Sequence, residues 1–199
     1  MPPRSSAVCW LRKLCVVAEV PNPGQAAGLA SELLASLGDR WLHTQGVAGR
    51  AEEHAAFVPT DDRELLVVAA WWHDLGYAPK LAHTGFHPLD GARYLAAEGY
   101  PERLCALVAH HSAATFEAEE RGLLYELSAW PREESAVVDA LWAADMTTGP
   151  TGEPVEYAER LTEILYRYDE KSPVARAMSR ARSDIETTIS RTESRLIAR

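Results

Sequence analysis

Apolar residues along the chain recur at the three-and-four spacing of one helical face, and no stretch alternates apolar and polar residues between hairpin turns. "PGQAAGLASELLASLG" (23–38) sets Ala27, Leu29, Ala30, Leu33, Leu34 and Leu37 at that spacing and stops at Gly38, a residue suited to closing a helix. A second helix is expected from about Arg40 to His54. A third begins in "PTDDRELLVVAAWWHDLG", where Thr60 or Asp61 can cap it, Asp62 and Glu64 suit its dipole, and Gly76 and Pro79 end it. "HPLDGARYLAAEGY" opens with Pro88 in a first turn, "PERLCALVAHHS" repeats the arrangement with Pro101, and "REESAVVDALWAADMTTG" runs to Gly149. Two longer patterns, "EPVEYAERLTEILYRY" and "SPVARAMSRARSDIETTISRTESRLIAR", complete an all-α reading with no internal repeat and no low-complexity linker.

The 199 residues, 47% of them hydrophobic, suffice for one substantial core. The expected organisation is an N-terminal segment (1–20), one helical domain (21–170) and a C-terminal helix (171–199) that packs on the domain or on a partner subunit in a homodimer. Twenty basic against 29 acidic residues give a net charge of −9, which argues against binding nucleic acid or an anionic membrane. A local basic pocket for a phosphorylated small molecule remains open. Cys9, Cys15 and Cys105 are an odd set with no CxxC pair, so neither a disulfide framework nor a zinc ribbon is supported, and a reducing cytoplasm fits. The apolar stretch "VCWLRKLCVVAEV" is broken by Arg12 and Lys13 and fails both as a signal peptide and as a membrane span.

The chemistry concentrates in one region. All seven histidines (His43, His54, His73, His83, His87, His110 and His111) fall between residues 43 and 111. Histidine with carboxylate is the usual ligand set for a divalent transition metal. "WWHDLGY" places His73 and Asp74 at the end of an apolar run, where a buried polar pair is costly unless coordination or hydrogen bonding offsets the lost hydration. Neighbours on a helix point about 100° apart, so both reach one site only where the helix ends, and Gly76 supplies that ending. Trp71 and Trp72 in this run read as core residues rather than as a base-stacking platform.

With His43 in "RWLHTQGVAGRA", His73 and Asp74, and Asp145 in "LWAADMTTG", the chain resembles the HD superfamily of metal-dependent phosphohydrolases over roughly residues 40–150. The resemblance implies an all-α HD-domain bundle with a metal site at its centre. Some HD proteins, among them bacterial diadenosine-tetraphosphate hydrolases and the HD-GYP cyclic-dinucleotide phosphodiesterases, carry further histidines for a second metal. Their elements look like His87-Pro88-Leu89-Asp90-Gly91-Ala92 and "VAHHS", with His110 and His111. In that reading Asp74 bridges two ions, His43, His73 and Asp145 hold one, and His87 with His111 or His110 holds the other. Tyr77 stands where HD-GYP proteins usually have a lysine and the GYP portion is missing, which disfavours a cyclic-di-GMP phosphodiesterase.

The resemblance implies one or two divalent ions (Fe, Mn, Co, Ni or Zn) and hydrolysis of a nucleotide or other small phosphorylated compound by a metal-activated water. Asp74 is then a catalytic candidate, together with Arg40 and Lys80 as phosphate-binding cations, while Arg50 and Arg93 are further basic candidates. His54 and His83 are left out of the ligand set, and "TTGPTGEP" (147–154) lines the pocket mouth or is a plain interhelical loop. Two alternatives stand: a di-iron HD-fold oxygenase cleaving a C–C or C–P bond, and a non-catalytic nucleotide-binding sensor.

Overall fold

A computed structural model describes residues 19–197. Among these the chain is all-α, with no β-element beyond one isolated bridge between Thr148 and Pro154. The segment "VCWLRKLCVVAEV", with Cys9 and Cys15, lies almost wholly outside the described residues.

The first helix, α1 (Pro23–Leu34), starts with a reciprocal cap: the Gln25 amide donates to the Asn22 side chain, and the Gln25 side chain accepts from the Asn22 amide. After it come α2 (Asp39–His54) and α3 (Arg63–Trp72). Leu65 to Ala70 are all buried in α3, so this helix is apolar all round and runs through the centre of the molecule. It packs against α1, α2, α5 (Glu102–Ala109) and α8 (Ala136–Met146). Trp72 is core, and its indole N–H donates to the Ala26 carbonyl at 3.0 Å; Trp71 is half-buried against Trp41.

The remaining helices wrap this centre. They are α4 (His87–Ala97), α6 (Ala114–Arg121), the single turn α7 (Leu124–Leu127), α9 (Tyr157–Arg167) and α10 (Pro173–Ile197). Along α10, Met178, Ala181, Ile185 and Ile189 join Trp142, Met146, Tyr157, Leu161 and Ile164 in a second apolar cluster, so the C-terminal helix packs along α8 and α6 of its own domain. Arg195 reaches the buried Asp139 of α8 at 2.8 Å and fixes that docking. No helix among the described residues is long and apolar enough to cross a membrane.

Helix boundaries differ from the sequence expectation where a tertiary contact competes. Neither Thr60 nor Asp61 caps α3; Thr60–Asp62 forms a 3-10 turn, and the Asp62 carboxylate accepts from both terminal nitrogens of Arg103 at 2.5 and 3.1 Å. Pro101 occupies the cap position of α5 rather than its first turn. The α8 helix stops at Met146, capped at its start by the Ser135 hydroxyl, and residues 147–156 form a loop pinched by the Thr148–Pro154 bridge.

Candidate metal centre

The site forms where the C-terminal ends of α3, α5 and α8 meet one face of α2 and the start of α4. His73 follows the last residue of α3, and its Nδ1 lies 2.7 Å from the Ala70 carbonyl. His111 follows the end of α5, with Nδ1 2.6 Å from the Val108 carbonyl. His43, on α2, places Nδ1 3.0 Å from the Gly149 carbonyl in the loop after α8. A carbonyl can only accept, so each Nδ1 carries the proton and each Nε2 turns inward.

Two trios of potential ligand atoms result: His43, His73 and Asp145, and Asp74, His87 and His111. In the first, His43 Nε2 stands 3.0 Å and His73 Nε2 3.9 Å from Asp145 Oδ1. In the second, His87 Nε2 lies 3.0 Å from His111 Nε2 and 3.2 Å from Asp74 Oδ1. The other Asp74 oxygen, Oδ2, is 3.2 Å from His73 Nε2 and 4.0 Å from His43 Nε2, so Asp74 offers one oxygen to each trio. The step from the His73–Asp74 doublet to α4 is made by Gly76, where a Cβ would fall 2.0 Å from the His87 carbonyl oxygen.

Six buried or nearly buried polar side chains in one place need an electrostatic account. Burial would push the Asp74 carboxyl up, but Arg40, His73 and His87 hold it well below the usual carboxylate range. Burial acts likewise on Asp145, which its contact with His43 and the field of His73 hold low. His87 and His111 are pushed down by burial and by neighbouring positive groups, and so remain neutral ligands. Burial also disfavours charge on His73, yet Asp74 and Asp145 outweigh it and raise the imidazole, so a proton and a metal ion compete for Nε2.

These residues fit a divalent metal. His73 is fully buried, and with its proton on Nδ1 its Nε2 lone pair meets only an acceptor, the Asp74 carboxylate at 3.2 Å, a state that costs about 1–3 kcal/mol unless a proton or a metal ion satisfies the atom. Coordination satisfies it, and the mixed imidazole and carboxylate set suits a transition ion.

Two expected site residues stand elsewhere. His110 is not in either trio: its Nε2 faces the Trp130 carbonyl at 3.0 Å and its own carbonyl accepts from the Trp142 indole, so it ties the end of α5 to its neighbours. Lys80 is exposed and pairs with Glu32 at 3.4 Å, away from the cleft, on the turn that the Leu81 amide closes onto the Ala78 carbonyl. Arg40 does reach the site. Its Nη1 donates to Asp74 Oδ2 at 2.5 Å, and its guanidinium stacks over Tyr77 at 4.1 Å. Arg50 extends to Glu53 and Thr147, Arg93 and His83 are exposed, and buried His54 faces the Ala140 carbonyl.

Several contributors escaped the sequence reading. The Tyr77 ring stacks on His87 with centroids 4.1 Å apart and fixes that imidazole. Ser112, whose backbone adopts φ +45°, donates its hydroxyl to Asp145 Oδ2. Glu117 is buried at the cleft wall, where burial pushes its carboxyl up against the pull of Arg121. On the far side, α9 presents Arg160 and Arg167. The cleft over the trios is lined by Arg40, Arg160 and Arg167 and by the apolar side chains of Met146, Ile164, Val174 and Met178.

A family model, the HD domain, matches residues 40–181. No curated protein and no solved structure matches the chain.

Proposed function

The chain belongs to the HD domain family, whose members are mostly metal-dependent phosphohydrolases, and from that premise we propose that it hydrolyses a nucleotide or a similar small phosphorylated compound. The observation that carries this reading is Asp74, which offers one carboxylate oxygen to each of two ligand trios beneath a cleft edged by arginines. His43, His73 and Asp145 would hold one ion, and His87 and His111 the other, with Asp74 shared. A bound divalent ion supplies a Lewis acid and a water acidic enough to attack phosphorus near neutral pH.

The side chains do the rest. Arg40, held by Asp74 and flattened on Tyr77, keeps further N–H groups free to bind and orient a phosphoryl oxygen and to neutralise charge as it develops there. The backbone carbonyls of Ala70, Val108 and Gly149 fix three imidazole tautomers before substrate arrives. The apolar side chains of the cleft, Met146, Ile164, Val174 and Met178, exclude water and receive the uncharged part of the substrate.

The test is metal content per chain by elemental analysis of protein purified without chelator, followed by phosphate release from a nucleotide panel with and without oxygen. Two ions in wild type, about one in His87→Ala and almost none in Asp74→Ala are expected, with anaerobic phosphate release. Iron with oxygen-dependent turnover would replace the hydrolase with an oxygenase. Nucleotide binding without turnover across all the metals would replace it with a sensor.

A further inference from the structure

Beside the metal centre, Arg40 and α9 border an adjoining cleft of about 290 Å³, lined also by Asp39, His43 and Pro150, with Arg160, Glu163 and Arg167 on the α9 side. Arg160 is the unusual member. It is only 5% exposed, it borders both clefts, and its buried Nε has no hydrogen-bond partner. A guanidinium carries five N–H donors, and burying one is unfavourable unless acceptors meet it. Here a single carboxylate, Glu163, serves two arginines: it accepts from Arg160 Nη1 at 2.7 Å and from Arg167 Nε at 2.8 Å. Three arginines, Arg40, Arg160 and Arg167, against two carboxylates, Asp39 and Glu163, leave the charged side chains lining this cleft with a positive excess in a chain whose net charge is −9.

The helix itself explains the placement. Tyr157, Leu161 and Ile164 anchor α9 in the second apolar cluster, and Arg160, Glu163 and Arg167 recur at helical spacing on the side that borders the clefts. Arg40 connects the two regions, since one nitrogen touches Asp74 at the ligand trios while the side chain also borders the adjoining cleft.

We propose that Arg160 and Arg167, joined to the metal centre through Arg40, form a second anion site that holds the next phosphate of a phosphoanhydride chain. The assignment rests on the phosphohydrolase reading and narrows its substrate from phosphorylated compounds in general to those with at least two linked phosphates. Glu163 then acts as a resident counter-ion that the incoming phosphate displaces. Phosphate suits the arrangement better than a carboxylate because its oxygens can meet two guanidinium forks at once.

The experiment is isothermal titration of the full-length protein, stripped with chelator, using inorganic tripolyphosphate and inorganic phosphate as probes. Tripolyphosphate should bind wild type at least about tenfold more tightly than phosphate, and Arg167→Gln should weaken it by about tenfold to a hundredfold. Glu163→Gln should tighten it, because the competing anion is gone. Arg160→Met should weaken it as Arg167→Gln does, and because Arg167 is half-exposed its variant carries the test if the Arg160 variant misfolds. Equal tripolyphosphate affinity in wild type and Arg167→Gln, or weaker binding in Glu163→Gln, would overturn the site. Because no metal is present, the result is independent of turnover. Binding at these arginines with no phosphate release under any metal leaves the anion site and removes the hydrolase, while metal-dependent release with no effect of Arg167→Gln on binding does the reverse.

Discussion

Replacing Gly76 by alanine tests how the two ligand trios are held together. The added Cβ would lie 2.0 Å from the His87 carbonyl oxygen and 2.8 Å from the Gly91 amide nitrogen, both of them backbone atoms that cannot rotate away. Against an ordinary contact of 3.4 Å the shortfall is about 1.4 Å, so the turn at Leu75–Tyr77 and the start of α4 have to separate by roughly that much. Metal ligation tolerates only about ±0.2 Å. His87 Nε2 and Asp74 Oδ1, now 3.2 Å apart, come from the two parts being separated, whereas His43 and Asp145 come from α2 and α8.

On the two-ion reading, Gly76→Ala is therefore expected to lose the ion that His87 and His111 would hold and to keep the one that His43, His73 and Asp145 would hold. Overpacking of this kind costs about 1–3 kcal/mol, and in a domain of this size each kcal/mol lowers Tm by about 2–4 °C. Elemental analysis after dialysis gives the ion count, and a thermal melt followed by circular dichroism gives the stability. Gly49→Ala is the control: its Cβ meets nothing within 4 Å, and alanine inside α2 should stabilise by about 0.5–1 kcal/mol. A Gly76→Ala protein with wild-type Tm and an undiminished ion count would refute the close approach as the organiser of the site.

Two further outcomes are expected. Ser112→Ala removes the hydroxyl that donates to Asp145 Oδ2, and loss of such a supporting contact typically weakens metal binding by about 10–100-fold; a chelator-competition titration checks it, and unchanged affinity would dismiss Ser112 from the site. Burial holds the His54 imidazole below its usual value near 6.5, so the folded state stays neutral while the unfolded state takes up a proton as pH falls past that value. Its contribution is thus present at higher pH and is lost on acidification, at up to about 1.4 kcal/mol per pH unit. Denaturant melts between pH 8 and 5.5 should fall more steeply for wild type than for His54→Gln, and parallel curves would reject this role.

The fold and most of the candidate ligand set were legible because both rest on local rules. A run such as "LLVVAA" has to be buried all round, and a His-Asp doublet shortly after it has to lie where that buried helix stops. What escaped depends on contacts distant in sequence. Asp62 looks like an ordinary acidic residue matched to the helix dipole, but Arg103 claims it across 41 residues. Lys80 follows the doublet closely enough to suggest a phosphate ligand, yet the turn after Pro79 carries it to Glu32. Arg160, Glu163 and Arg167 have the spacing of any solvated ion-paired face, and only the docking of α9 on α8 and α10 reveals that this face borders the site.

The choice between His110 and His111 rests on helix ends. The last four carbonyls of a helix have no intrahelical partner, and both Ala70 of α3 and Val108 of α5 are among them. His73 and His111 each reach back three residues and donate Nδ1–H to that carbonyl. One contact therefore satisfies an orphan acceptor, fixes the tautomer and aims Nε2 into the site. His110 has a different task, since its amide closes the helix on the Ala106 carbonyl and its ring swings out to Trp130. Immediately afterwards Ser112 and Ala113 adopt φ values of +45° and +62°, an unfavourable conformation for residues with a side chain. That reversal turns the Ser112 hydroxyl onto Asp145 while His111 faces His87. The backbone just after "HH" is thus strained where His111 serves one trio and its neighbour Ser112 supports the other.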